Sequence, residues 1–221
     1  MLKLYHTPIS FNSRRVWVAL LEKELEFELV SLNLDGEQFQ PEFLEVNPFH
    51  HIPVLVDDGF SVVESLAILD YLEAKYPTPT LLPLDAKALA TVRMVQMVTI
   101  NELVPAMTPL IRQKMGFTED DASKLERPKQ QVATVLTFFE RLLDEHYYFG
   151  GEHLTLAEVV AGTTVPLLPG LGVSLNGYPK LSAWTERLSQ RTAWVTTQPS
   201  PKVIAEFRAR MVARMAAPPT R

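Results

Sequence analysis

No cysteine occurs anywhere in the 221 residues. That absence excludes disulfides, thiolate metal sites and cysteine nucleophiles together. Positive charge is also scarce. Lys and Arg number 21 against 26 Asp and Glu, a net charge of −5. A nucleic-acid or anionic-membrane surface is therefore not expected as the main partner. The longest uncharged stretch, Val159 to Pro179, is interrupted by Pro166, Pro169 and several glycines, which makes it a poor membrane span. The opening Met1-Leu2-Lys3-Leu4-Tyr5-His6-Thr7-Pro8 lacks the apolar core of a secretory signal. No internal repeat is evident. A cytoplasmic protein without a membrane partner is expected.

What is present is the composition of an ordinary globule, 47% hydrophobic and 21% charged. The length suits one large domain or two small ones, each with a proper core. Three prolines in seven residues, Pro77, Pro79 and Pro83, mark a stiff linker over 78–84. Before it the pattern mixes strands and helices. Leu2, Leu4 and Tyr5 fit a strand, the apolar face of Val16, Trp17, Leu20 and Leu21 a helix, and Phe27–Leu32 a second strand. A Pro53-led run and Phe60–Val63, joined by Asp57-Asp58-Gly59, read as an antiparallel hairpin. A helix follows. The first unit, 1–77, is thus βαβ then ββα, a mixed sheet resembling thioredoxin. After the linker, 85–221 reads as all-helical, with Pro105 and Pro109 expected to kink or end its first helix. Further helices are expected over Leu125–His146, from Thr155, over Pro179–Gln190 and over Pro201–Met215. Thr155 and Glu158 form a capping box and Leu154 and Val159 a hydrophobic staple, a structural device.

The stretch His50-His51-Ile52-Pro53-Val54-Leu55-Val56 carries the most chemistry. Proline cannot donate to a ladder, so Pro53 at a strand start marks a turn or a cis bond. A cis bond would turn the backbone of Ile52 outward, where it pairs with an extended peptide as an added strand would. Ser65 is placed as the N-cap of the following helix, whose exposed N–H groups favour a carboxylate. Glu64 beside it offers negative charge to an ammonium. Together they suit the zwitterionic end of a small peptide. The adjacent His50 and His51 lack helical spacing and a third ligand, so no metal site is expected.

Asn47-Pro48-Phe49-His50-His51-Ile52-Pro53-Val54-Leu55, followed by Glu64-Ser65-Leu66-Ala67-Ile68-Leu69-Asp70-Tyr71-Leu72, resembles the glutathione-binding half of cytosolic glutathione transferases. The likeness spans nearly the whole chain. It implies glutathione as co-substrate, with Ile52 pairing its cysteinyl backbone and Glu64 and Ser65 holding the γ-glutamyl ammonium and carboxylate. It places His51 and Gln38 near the glycyl end. Ser10-Phe11-Asn12-Ser13-Arg14-Arg15-Val16 resembles the family's serine-type active-site segment, of the bacterial-like kind. Glutathione's thiol is mostly protonated at neutral pH, and a hydroxyl donor beside a helix N-terminus lowers its pKa. The resemblance puts Ser10 on the sulfur. Ser13 and Tyr5 remain alternatives, Ser13 also reading as a helix cap and Tyr5 as a packing residue. Arg15 matches a family arginine that supports the loop. Where relatives usually carry Asp in the capping box, this chain has Glu158.

The implied activity is conjugation of the thiolate to a small hydrophobic electrophile, by a cytoplasmic homodimeric detoxification enzyme. An apolar electrophile site is expected between the domains, with Ile9, Phe11, Met107, Ile111, Met115, Phe117, Phe207 and Met211 as candidates. Phe49 is a candidate key at a dimer contact. Two alternatives stand beside this reading. One is a glutathione-dependent isomerase of the maleylacetoacetate type, although the Ser-Ser-Cys of that class is replaced here by Ser10-Phe11-Asn12. The other is a non-catalytic glutathione-binding interaction module.

Overall fold

Leu2, Leu4 and His6 are buried while Lys3 and Tyr5 are half-buried, the alternation of a strand packed on both faces. This strand, β1 (Leu2–His6), opens a computed structural model that describes residues 1–117 and 122–216. It leads through a short loop to α1 (Phe11–Glu22), then β2 (Phe27–Ser31), α2 (Pro41–Val46), β3 (Val54–Asp57), β4 (Phe60–Val63) and α3 (Ser65–Lys75). The four-stranded sheet has the order β2-β1-β3-β4. β1 and β2 are parallel, and the other two pairs are antiparallel. The thioredoxin-like arrangement expected from the sequence is present. Tyr5, opposite Val54, packs with Val56, Val63, Leu32 and Phe43 on the α2 side. α1 and α3 pack on each other and on the sheet strands.

Two ion pairs anchor α3. Lys23, fully buried, donates to Glu73 at 2.5 Å and to the carbonyl of Pro79 at 2.7 Å. Asp57 at the end of β3 accepts from Lys75 and, at 2.7 Å, from Tyr71. The Lys75 bond, then the Tyr71 bond, hold its carboxyl below the usual range. A depressed folded pKa gives stability that is full above the unfolded value, about 4, and is lost as pH falls through the folded one. Asp57→Asn is therefore expected to flatten the fall of the thermal midpoint between neutral and acid pH. A parallel fall in both proteins contradicts this.

The second unit, Thr80–Arg191, is helical. Asp85 caps α4 (Ala86–Val98) by accepting from the N–H groups of Lys87 and Ala88. A π turn, Thr99–Leu103, joins it to α5 (Val104–Lys114). Of the two outcomes expected at Pro105 and Pro109, a kink or an end, the helix does not end at either, and a π turn interrupts it just before Pro105. Pro105 falls in the first turn of α5, where its missing N–H costs least, directly after a widened turn that absorbs the mismatch. By length and composition Ala86–Lys114 is apolar enough to cross a membrane, a match the sequence reading did not make. Its Val92, Val95, Leu103, Met107 and Leu110 are buried within the protein. α6 (Glu126–Leu143), α7 (Leu156–Ala161) and α8 (Pro179–Ser189) complete the unit. Phe139, Phe149 and Trp184 meet edge to face at 5.5 and 5.4 Å. The Thr155–Glu158 capping box is formed. Glu158 is fully buried and accepts from the N–H of Phe149, from Trp184 Nε1, and from both the N–H and hydroxyl of Thr155. Gly150 leaves room for this device, since a Cβ there would lie 2.5 Å from the Thr155 methyl.

The expected C-terminal boundary differs. The chain returns after Arg191, and the described residues from Thr192 onward group with Met1–Pro79 as one compact unit. The short helix α9 (Thr192–Thr197) packs on α1, with Trp194 and Thr197 buried. Arg14 fastens it. Its Nε donates to Thr197 Oγ1, and Nη2 donates to the Trp194 carbonyl and Gln198 Oε1, all at 3.1 Å. A final helix, α10 (Pro201–Ala216), follows, and Arg214 donates to the carbonyl of Leu34.

Candidate functional site

Ser10 ends the loop after β1 with an extended backbone, φ −84° and ψ 115°. Its Oγ accepts the N–H of Ser13 at 3.2 Å. Ser10, not Ser13, is therefore the cap of α1, because the chain turns helical at Phe11. Ser13 lies in the first turn, with its hydroxyl buried and without a partner among the described residues. A hydroxyl that accepts still has its own proton to donate. Tyr5 packs against the Phe43 ring at 5.9 Å.

Asn47 shapes the loop before β3. Its buried side chain donates to the His51 carbonyl at 2.7 Å and accepts the Phe49 N–H at 3.0 Å. His50 holds φ 58° within this turn and packs its ring, tilted, against Phe39. The Ile52–Pro53 bond is cis. Ile52 stands just ahead of the paired residues of β3. Gln38, mostly buried, accepts the Gly36 N–H at 3.2 Å, which leaves its amide N–H groups to donate elsewhere.

At the start of α3 the sequence expectation shifts by one residue. The cap position belongs to Glu64, at φ 68°, a left-handed conformation that costs a side chain on the order of 1–3 kcal/mol. Ser65 is the first helical residue. Glu64 makes no side-chain capping bond, so the first helix N–H groups are not covered by it. Arg15 Nη1 donates to Ser65 Oγ at 3.3 Å from beneath.

These pieces converge on one cavity of about 580 Å³. Ser10, Gln38, His51, Ile52, Pro53, Glu64 and Ser65 line it; Ser13 and Tyr5 do not. Asn12, Leu34, Phe39, Phe49 and His50 complete the wall. Asn12, Leu34 and Phe39 were not foreseen, although Asn12 and Phe39 are close neighbours of Ser10 and Gln38. Glu64 is its single carboxylate. Among the described residues, no group of three or more His, Asp or Glu side chains is placed to hold a metal. Of the apolar residues proposed for an electrophile site, Met107 is fully buried in the helical unit's core.

The sequence profile of the glutathione S-transferase N-terminal domain matches residues 4–80, and that of the C-terminal domain matches 98–192. The chain belongs to the glutathione S-transferase family. This transferase is 35% identical to glutathione S-transferase 3 of Zea mays, over 89% of its own chain and 92% of the relative. It is 30% identical to the maleylacetoacetate isomerase of Rattus norvegicus, over 93% and 96% of the two chains. A glutathione transferase homolog from sulfitobacter, solved with bound glutathione, superposes with a TM-score of 0.76 at 26% identity, covering 90% and 97%. The transferase thus keeps the family's two-part fold along nearly its full length.

Proposed function

We propose that this glutathione transferase holds glutathione in the Ser10–Ser65 cavity and adds its thiolate to a small hydrophobic electrophile. The observation that carries the reading is the gathering of Ser10, Ile52, Glu64 and Ser65 on one wall set. The Ser10 proton donates to the sulfur at the N-terminus of α1, where the helix field also favours negative charge. Ile52 pairs its backbone with the cysteinyl unit. Ser65 and the uncovered start of α3 take the γ-glutamyl carboxylate, while Glu64 takes the ammonium. The spare amide of Gln38, with His51, faces the glycyl carboxylate. The chain is read as serine-type, homodimeric and cytoplasmic, with residues 78–84 as the linker between its domains. Exposed Phe49 supports a contact role at the rim.

The test is glutathione conjugation across a panel of generic electrophiles, with glutathione binding measured alongside and a maleyl diketo acid assayed for isomerisation. Saturable conjugation is expected. Binding without any conjugation would move the assignment to a glutathione-binding module. Isomerisation alone would move it to the isomerase reading. No binding would overturn the site.

A further inference from the structure

Two loops meet on one stretch of the cavity wall. One brings Leu34, Gln38 and Phe39, the other Phe49, His50 and His51. They touch where the Phe39 and His50 rings lie 5.0 Å apart. Phe39, Phe49, His50 and His51 are exposed, so this stretch opens to solvent. Among the described residues, no Lys or Arg lines the cavity. Two cations of α10 come near the first loop. Arg214 donates to the Leu34 carbonyl at 3.3 Å, and Arg210 attracts the Glu37 carboxylate. Neither arginine lines the cavity. A carboxylate is recognised most strongly by a cationic donor. Here the wall offers a carboxamide. Gln38 Oε1 accepts the Gly36 N–H at 3.2 Å and keeps a second lone pair, while Nε2 keeps its two N–H groups. A group that both donates and accepts matches another amide, whereas a carboxylate can only accept.

We propose that this cavity takes γ-glutamyl-cysteinyl peptides whose glycyl end is blocked or extended as an amide, alongside glutathione itself. The proposal rests on the glutathione-binding reading above, which sets the glycyl end against Gln38 and His51. The carbonyl of such an amide accepts from Gln38 Nε2, and its N–H donates to Oε1. An apolar extension leaves the cavity over the exposed Phe39 and Phe49 rings and covers them from water. Masking the carboxylate breaks no ion pair, because the wall supplies no fixed cation. The thiol end of the ligand is untouched, so the extended peptide is a co-substrate and not merely an occupant.

Three ligands test this: glutathione, its glycinamide, and its glycine N-butylamide. Calorimetric titration is made at about pH 8, where an imidazole is largely uncharged. Wild type is expected to bind all three within about 3-fold of one another and to conjugate each to the same electrophile. Phe39→Lys sets a cation on the exposed wall. It should favour glutathione over the glycinamide by about 10-fold, the value of a new charge-assisted contact. The wild-type comparison decides without any variant. A preference of 10-fold or so for glutathione over the glycinamide overturns the proposal, as does a similar loss with the N-butylamide. An unchanged ratio in folded Phe39→Lys also overturns it, by placing the glycyl end elsewhere. If wild type binds none of the three, the fault lies with the glutathione-binding reading itself.

Discussion

Ser10→Ala is expected to lower the glutathione-conjugation rate by about 100-fold, the value of a charge-assisted hydrogen bond to the thiolate. The thiol of bound glutathione should titrate at higher pH, visible in the ultraviolet absorbance of the thiolate. The same substitution removes the cap of α1, at about 1 kcal/mol of stability. Two further variants separate the effects. Ser10→Asp accepts from the Ser13 N–H as serine does, but offers the sulfur no proton and adds negative charge. It should recover stability and remain inactive. Ser13→Ala should retain the rate, since the Ser13 hydroxyl is buried and does not line the cavity. Full activity in Ser10→Ala would remove the serine mechanism. Loss in Ser13→Ala with thermal stability intact would transfer the role.

Glu158→Ala should be the most destabilising single change in the helical unit. The carboxylate accepts from four donors on Phe149, Thr155 and Trp184, and no water-exposed route replaces them because the residue is fully buried. Burial pushes the Glu158 pKa up, and the bonds from Thr155 and Phe149 oppose that push. Removing the acceptor strands the donors, at a cost on the order of 4 kcal/mol. For a chain of this size that is a fall of about 10 °C in the thermal midpoint. Glu158→Gln, retaining one carbonyl acceptor, should fall between. A shift of a degree or two in Glu158→Ala would show that the network contributes little.

Much of the first unit was legible because its signals are local. Pro53 before an apolar run, the Asp57-Asp58-Gly59 turn and the helix after Glu64 each follow from a few neighbouring residues, and together they place the cavity. Helix starts were less legible. Ser10 and Ser13 are both good caps, and only the backbone angle at Ser10 decides between them. Glu64 occupies a cap through a left-handed conformation that no residue preference favours. α9 escaped notice because Thr192-Ala193-Trp194-Val195-Thr196-Thr197 is short and rich in β-branched residues. Its packing on α1 and the distant Arg14 hold it. Neighbouring arginines also look alike in sequence. That Arg14 reaches many acceptors and Arg15 only one depends on tertiary packing.

The return of Thr192–Thr197 to the first unit has a consequence for synthesis. Chains emerge from the ribosome N-terminus first, and domains generally fold as they emerge. Here α1 appears early, but the oxygens that Arg14 requires appear only after the whole helical unit has been translated. The thioredoxin-like part therefore waits, incomplete, while the second unit is made. A nascent chain that stops at Arg191 carries every lining residue of the Ser10–Ser65 cavity and lacks the oxygens that fasten α1 through Arg14.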